Sequence, residues 1–204
     1  MNRKTIFRIV AFLGAVSTLS GCASYVVRPM PKLNPVSYIN HSQYRNFYIA
    51  AKAYRTKSEC EAVFSDNLVG AGYMPVQVAL KNMGRNPLIL YRQDFVLKIL
   101  VDGKGHKGLL PIDPSIVAQH FKNSTAKGAF LGGVFGYAAA EHANHKRETA
   151  FKHKGLRRTI PLASGQVVEG FLYYKGNVKA SLPALLQLSF THNTHNDMTS
   201  VELH

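Results

Sequence analysis

His142 and His145 stand three residues apart, close to Glu141 and Glu148, and on a helix both imidazoles would share one face. Two imidazoles so placed could bind zinc, which takes nitrogen, sulfur and carboxylate ligands in a tetrahedron. A third ligand at a convincing spacing is missing, and neither H-E-x-x-H nor a cysteine pair is present. In a chain with nine histidines the simpler reading is a solvated helix face, so His142 and His145 stay weak metal candidates. His192, His195 and Asp197 share that weakness and read as part of a polar C-terminal tail over residues 192–204. Asp102-Gly103-Lys104-Gly105 has the look of a phosphate loop but the chemistry of a hairpin turn. No G-x-S-x-G and no G-x-x-x-x-G-K-[ST] P-loop occurs, and the 11 carboxylates are scattered without a motif that suggests an acid/base couple. The expectation is no catalytic residue, no cofactor and no enzyme.

The one residue with chemistry assigned to it by its neighbours is Cys22. Arg3, Lys4 and Arg8 form a basic start, and Ile9–Leu19 follows as an apolar stretch broken only by Gly14, Ser17 and Thr18. That length suits a secretory signal and is too short for a transmembrane helix. Leu19-Ser20-Gly21-Cys22 then resembles the lipobox of bacterial lipoproteins. The resemblance implies cleavage before Cys22, a diacylglyceryl thioether on its sulfur and an acyl group on its new amine. Several acyl chains, at ~0.8 kcal/mol per buried CH₂, give an essentially permanent anchor. Ala23 stands where such lipoproteins carry Asp for inner-membrane retention, which implies the outer membrane of a Gram-negative cell, facing the periplasm.

Charge fits that address. The chain carries 25 Lys+Arg against 11 Asp+Glu, a formal +14. Loss of residues 1–21 removes three bases and no acid, leaving 22 against 11, or +11. In an envelope that excess favours phospholipid head groups or an acidic partner rather than nucleic acid, for which no module pattern is visible. Cys60 then has no partner in the chain and reads as a small buried hydrophobe.

The elements that would carry these residues are mostly strands. Phe47–Tyr54, Val76–Leu80, Leu88–Tyr91, Phe95–Val101, Arg158–Leu162, Gln166–Tyr174 and Leu185–Phe190 alternate or run apolar between Gly, Asn and Pro turns, which predicts a mainly β, two-sheet antiparallel sandwich. Ser58 with Glu61 matches a capping box for a short helix to Phe64. Asp113-Pro114 is a good start for a second, with Ile116, Val117, His120 and Phe121 on one face. From residue 126 the chain is apolar and then basic. Gly128, Gly132, Gly136 and Ala140 recur every four residues, a flat strip for close packing on a helix whose apolar part, Gly128–Ala140, is too short to span a bilayer. The organisation expected is a signal over 1–21, a proline-containing tether over 22–46, and a sandwich over 47–191 with a helical insertion at about 113–154. The polar tail follows it.

Asp66-Asn67-Leu68, Gly72-Tyr73-Met74-Pro75-Val76-Gln77-Val78, Asn82 and Gly84 resemble the opening strand of an immunoglobulin-like domain found in bacterial lipoproteins. Ile160-Pro161-Leu162, Gly165 and Gly170-Phe171-Leu172-Tyr173-Tyr174 resemble its closing strand, so the likeness covers about residues 47–190 with a glycine-zipper insertion. It implies an immunoglobulin-like sandwich and no active site. Lipoproteins of this type also occur in the outer-membrane cores of secretion machines, which implies a structural or interaction role in an envelope assembly. Its partners would be the membrane, through the lipid, and another protein or a second copy. The alternative is a binding module for a lipid or small ligand. An enclosed apolar cavity would favour the module, and an exposed apolar patch the assembly role.

Cys22→Ala should leave an unprocessed or soluble species and empty the outer-membrane fraction, read by fractionation and immunoblot. Salt-resistant, detergent-sensitive attachment of the mutant would contradict the anchor.

Overall fold

The computed structural model describes residues 25–101, 105–122, 125–176, 183–192 and 195–203. The described residues fall into two compact units, one within 27–121 and 148–203 and one within 25–26 and 122–147. Leu19-Ser20-Gly21-Cys22 lies outside the described residues.

In the larger unit β1 (His41–Tyr44), β2 (Phe47–Ala53), β3 (Tyr73–Asn82) and β8 (Val167–Lys175) form one antiparallel sheet in the order β1-β2-β3-β8. β5 (Phe95–Val101), β6 (Gly105–Leu109), β9 (Ala184–His192) and β10 (His195–Leu203) form a second, in the order β10-β9-β5-β6. β4 (Leu88–Tyr91) and β7 (Thr159–Leu162) make a two-stranded ribbon. The molecule is mainly β with antiparallel sheets and a few helices.

The period of two decides what each face buries. From β3, Met74, Val76, Val78 and Leu80 enter a core shared with Phe95, Leu97, Leu186 and Leu188 of the second sheet. The other face of the same sheet is also covered. Tyr73, Phe171 and Tyr173 meet α1 (Lys57–Phe64), α2 (Pro114–His120) and the C-terminal end of α3 (Thr125–Lys154) in a second, aromatic core. There Phe64 sits 4.8 Å from Phe171 and 5.4 Å from Phe151, centroid to centroid, the first edge-on and the second stacked. Lys154 is buried at the rim of this core, where its Nζ donates to Val63 O at 2.9 Å. Burial lowers its pKa, while the last carbonyls of α1 are natural partners for a cation.

Three expectations change. Residues expected as a tether are docked on the sheet: Leu33 is buried against Ala50 and Ala79, Gln77 donates to Pro31 O, and β1 pairs with β2. Prolines favour extended backbone, and extended backbone can lie along a sheet as readily as leave it. Residues expected as a polar tail supply β10, whose Val201 and Leu203 are in the core. The helix cap is shifted too. Thr56, not Ser58, caps α1: its Oγ1 accepts from Glu59 N at 3.2 Å, and the Glu59 carboxylate accepts in turn from Thr56 N at 3.1 Å. Both Thr56/Glu59 and Ser58/Glu61 satisfy the pattern, and only the extended backbone at Thr56 decides between them.

α2 begins at Asp113 with Pro114 in the first turn, as its sequence predicts. Its buried side is Pro114, Val117 and Ala118, with Ile116 turned to solvent. Burial opposes ionisation of Asp113, but hydrogen bonds from Ser115 and Arg92 outweigh it and hold the carboxyl at about 2. Gly155 lets the chain pass that corner, because a Cβ there would lie 2.4 Å from Pro114 Cγ. Directly after it, Leu156 N donates to Phe171 O at 2.9 Å, and Ile112 N to Tyr173 O at 2.8 Å, so the outer edge of β8 is hydrogen-bonded.

In the smaller unit α3 carries Gly128, Gly132, Gly136 and Ala140 within its helical backbone, and Ala140, Ala143, Asn144 and Arg147 are buried. Tyr25 packs under Arg147, whose guanidinium lies 4.8 Å from the ring centroid.

Thr56→Ala should cost about 1 kcal/mol in urea unfolding of the mature chain, while Ser58→Ala should stay within about 0.5 kcal/mol of wild type. Equal costs would return the cap to Ser58.

Candidate binding site

The end of β3 holds a polar group that nothing in its own strand requires. Asn82 is buried, and its amide nitrogen donates to Asn86 O at 2.8 Å and Leu162 O at 3.1 Å. Its side-chain oxygen accepts from Gly84 N at 2.8 Å. Its backbone joins the same knot: Gly165 N donates to Asn82 O at 2.7 Å and Asn82 N to Gln166 O at 3.2 Å. One residue on, Met83 N donates to Asn46 O at 2.6 Å. Three turns, at residues 45–46, 83–87 and 163–166, are thereby fastened at one end of the larger unit. Gly165 has φ +74, open to glycine at little cost. Arg45 has φ 52 as the first residue of the two-residue turn joining β1 to β2, where hairpin geometry calls for a positive φ.

Between these turns lies an open cleft of about 300 Å³. Phe47 and Phe190, one from each sheet, meet at 5.3 Å in its floor, and Tyr44 stands edge-on to Phe190 at 5.8 Å. Leu88 completes the apolar part, while Asn46, Asn82 and Asn86 add amide groups. Arg45 and Arg85, both exposed, form a cationic rim, with the Arg45 guanidinium 5.4 Å from the Tyr44 ring centroid. Tyr44 Oη donates to Asp197 Oδ1 at 2.6 Å, and this hydrogen bond, followed by burial, raises the tyrosine's pKa. The cleft can take an apolar group on its rings and an anion at its arginines. It contains no arrangement of nucleophile, base and orienting group.

Of the residues singled out by sequence, Asp197 joins this end as the acceptor for Tyr44. Cys22 lies outside the described residues. Gly128, Gly132, Gly136 and Ala140 share α3, with Gly136 half-buried and Ala140 buried. His142 and His145 are both exposed on that helix, and among the described residues no group of three or more His, Cys, Asp or Glu is placed to hold a metal ion. Cys60 is buried, and burial pushes its thiol up to about 11, far from a reactive thiolate. Among the described residues no helix is long and apolar enough to cross a membrane. Arg45, Arg85 and Phe190 escaped the sequence reading. Arg85 sits inside the turn marked by Asn82, Gly84 and Pro87, but no local signal joins that turn to Phe190, a hundred residues away in sequence.

Fold and cleft together define an antiparallel β domain with a binding-type recess at one end. No protein-family model matches the chain, and no curated protein matches it. Two solved structures from Bacillus subtilis are similar to it. One is ycdA, a candidate lipoprotein of strain 168, at 12% identity and TM-score 0.43, covering 80% of this chain and 38% of that one. The other is the yjhA protein, at 13% identity and TM-score 0.44, covering 81% of this chain and 97% of that one. Neither likeness is strong enough to transfer a fold or a function.

Asn82→Ala would strand Asn86 O, Leu162 O and Gly84 N. It should lower the stability of the mature chain by about 2–3 kcal/mol in urea unfolding. A loss below about 0.5 kcal/mol would show that the knot holds without its side chain.

Proposed function

We propose that this chain is a lipoprotein of the cell envelope, anchored through Cys22, whose β domain is a non-enzymatic interaction module within an envelope assembly. The observation that carries the interaction reading is the cleft at the Asn82 end. An aromatic floor with an arginine rim suits an apolar or aromatic anchor side chain of a partner flanked by acidic residues, the pattern of interface hot spots. The anchor reading rests on Leu19-Ser20-Gly21-Cys22 after its basic and apolar regions. Ala23 favours the outer membrane, and the core of a secretion machine is one setting of that kind.

Strand order supports the immunoglobulin-like reading. β10-β9-β5-β6 corresponds to the G-F-C-C′ order of a variable-type sandwich and β2-β3-β8 to A-B-E. In such domains binding is commonly built on the loops at one end of the sandwich, where the cleft lies.

A second reading, a module for a small ligand, is favoured by the cleft's size, at the lower end of the range for small-molecule sites. The two differ in what travels with the protein.

Crosslinking and affinity capture of the lipidated protein from membranes should recover a discrete protein partner. Arg45→Glu with Arg85→Glu should reduce that recovery by about tenfold or more, as loss of paired charges at an interface does. Recovery as a lone monomer, carrying a small molecule released on denaturation, would replace the assembly role with the ligand module.

A further inference from the structure

Cys22 and Tyr25 are three residues apart, and Tyr25 has a defined place. Its side chain is 6% exposed and lies under the Arg147 guanidinium of α3, itself on a residue only 6% exposed. Three residues of extended chain reach at most about 11 Å. If Cys22 carries the lipid, as proposed above, the edge of the bilayer must come within about that distance of the Tyr25 backbone. A helix rises ~1.5 Å per residue, so Arg147 back to Tyr137 is about 15 Å. The Arg147 end of that stretch is therefore held near the head-group layer, and its Tyr137 end lies about 15 Å further along the helix, within reach of the same surface if α3 runs along it.

The surface it offers fits that neighbour. Tyr137, Ala138, Glu141, His142, His145 and Lys146 are exposed, while Ala140, Ala143, Asn144 and Arg147 are buried. At about 100° per residue the two sets occupy opposite sides of the helix. Tyr137 is 45% exposed, and tyrosine is a residue of membrane–water interfaces, with an apolar ring and a hydroxyl that stays wet. One and two turns on come His142, His145 and Lys146, all donors suited to phosphate, with Glu141 the one carboxylate among the six. Val26, beside Tyr25, is 49% exposed. The mature charge of +11 draws the whole chain toward an anionic surface.

We propose that this face of α3 docks on the head-group layer of the bilayer that holds the lipid of Cys22, with Tyr137 at the interface and His142, His145 and Lys146 among the phosphates. The inference rests on the lipoprotein reading, and the helix lies on the membrane rather than across it.

The chain has no tryptophan, so Tyr137→Trp creates a single fluorescent reporter at an exposed, sterically tolerant position. The full lipidated protein is reconstituted into vesicles of phosphatidylethanolamine with a minority of phosphatidylglycerol. Lipids brominated close to the head group should quench the introduced indole about twofold or more, as expected for a ring at the interface, and aqueous acrylamide should reach it poorly. His142→Trp provides a second reporter on the same face and should be quenched less. Reporters open to acrylamide and untouched by brominated lipid would overturn the docking. So would reporters shielded from both in a crosslinkable dimer, which would assign the face to a second copy. Mass spectrometry of the N-terminal peptide and flotation with the vesicles read the anchor separately. An acylated, floating protein with unquenched reporters loses the docking alone, whereas an unacylated Cys22 removes the anchor and the docking together.

Discussion

β3 is covered on both faces, and that constraint organises the larger unit. One face gives Val76, Val78 and Leu80 to the core between the sheets, and the other gives Tyr73 to the aromatic core under the helices. A strand buried on both sides has no solvent face on which to leave polar side chains, so each one needs a partner. Gln77 accepts from Tyr54 Oη at 2.8 Å and donates to Pro31 O, which pins the N-terminal segment to the sheet. Asn82 does the same at the strand's end, with three turns as its partners. Removing either partner set would leave a buried amide unsatisfied, at a cost of about 1–3 kcal/mol. The same constraint explains β8. Its Leu172 and Tyr174 face the first core, Phe171 and Tyr173 the second, and its outer edge is closed by Ile112 and Leu156.

Function follows from what this leaves over. Both faces of β3 and β8 are consumed by packing, so at this sheet chemistry is left to the turns at its ends. At the Asn82 end, the knot of hydrogen bonds fixes the turns and presents Arg45 and Arg85 above the pair Phe47 and Phe190. A cationic rim over an aromatic floor is chemically suited to an apolar group flanked by acid.

Much of this was legible in the sequence. Alternation at Val76, Val78 and Leu80 gives β3, and Asp113-Pro114 gives the start of α2, because local geometry sets both patterns. The same alternation says nothing of what covers the second face: Gln77 and Ala79 are buried there by the docking of Pro31 and Leu33. Val201 and Leu203 show the period of a strand, yet the polar residues around them suggest a tail until pairing with β9 supplies the missing partner. The cleft was legible only in part. Asn82 and Gly84 announce a turn, but the meeting of that turn with Arg45 and Phe190 depends on strand pairing, and no spacing in one chain encodes it. Burial of Cys60 was readable from type alone, since a lone cysteine in a sandwich behaves as a small apolar residue.

The central claim is that the Asn82 end of the β domain meets a protein partner in the envelope. Its most direct test is photo-crosslinking in intact cells, with a photoreactive amino acid in place of Arg85 in the lipidated protein and a control at Lys107, exposed on β6. A single discrete protein adduct from position 85, absent from position 107, is the result this account predicts. No adduct from position 85, or the same diffuse pattern from both positions, would contradict it.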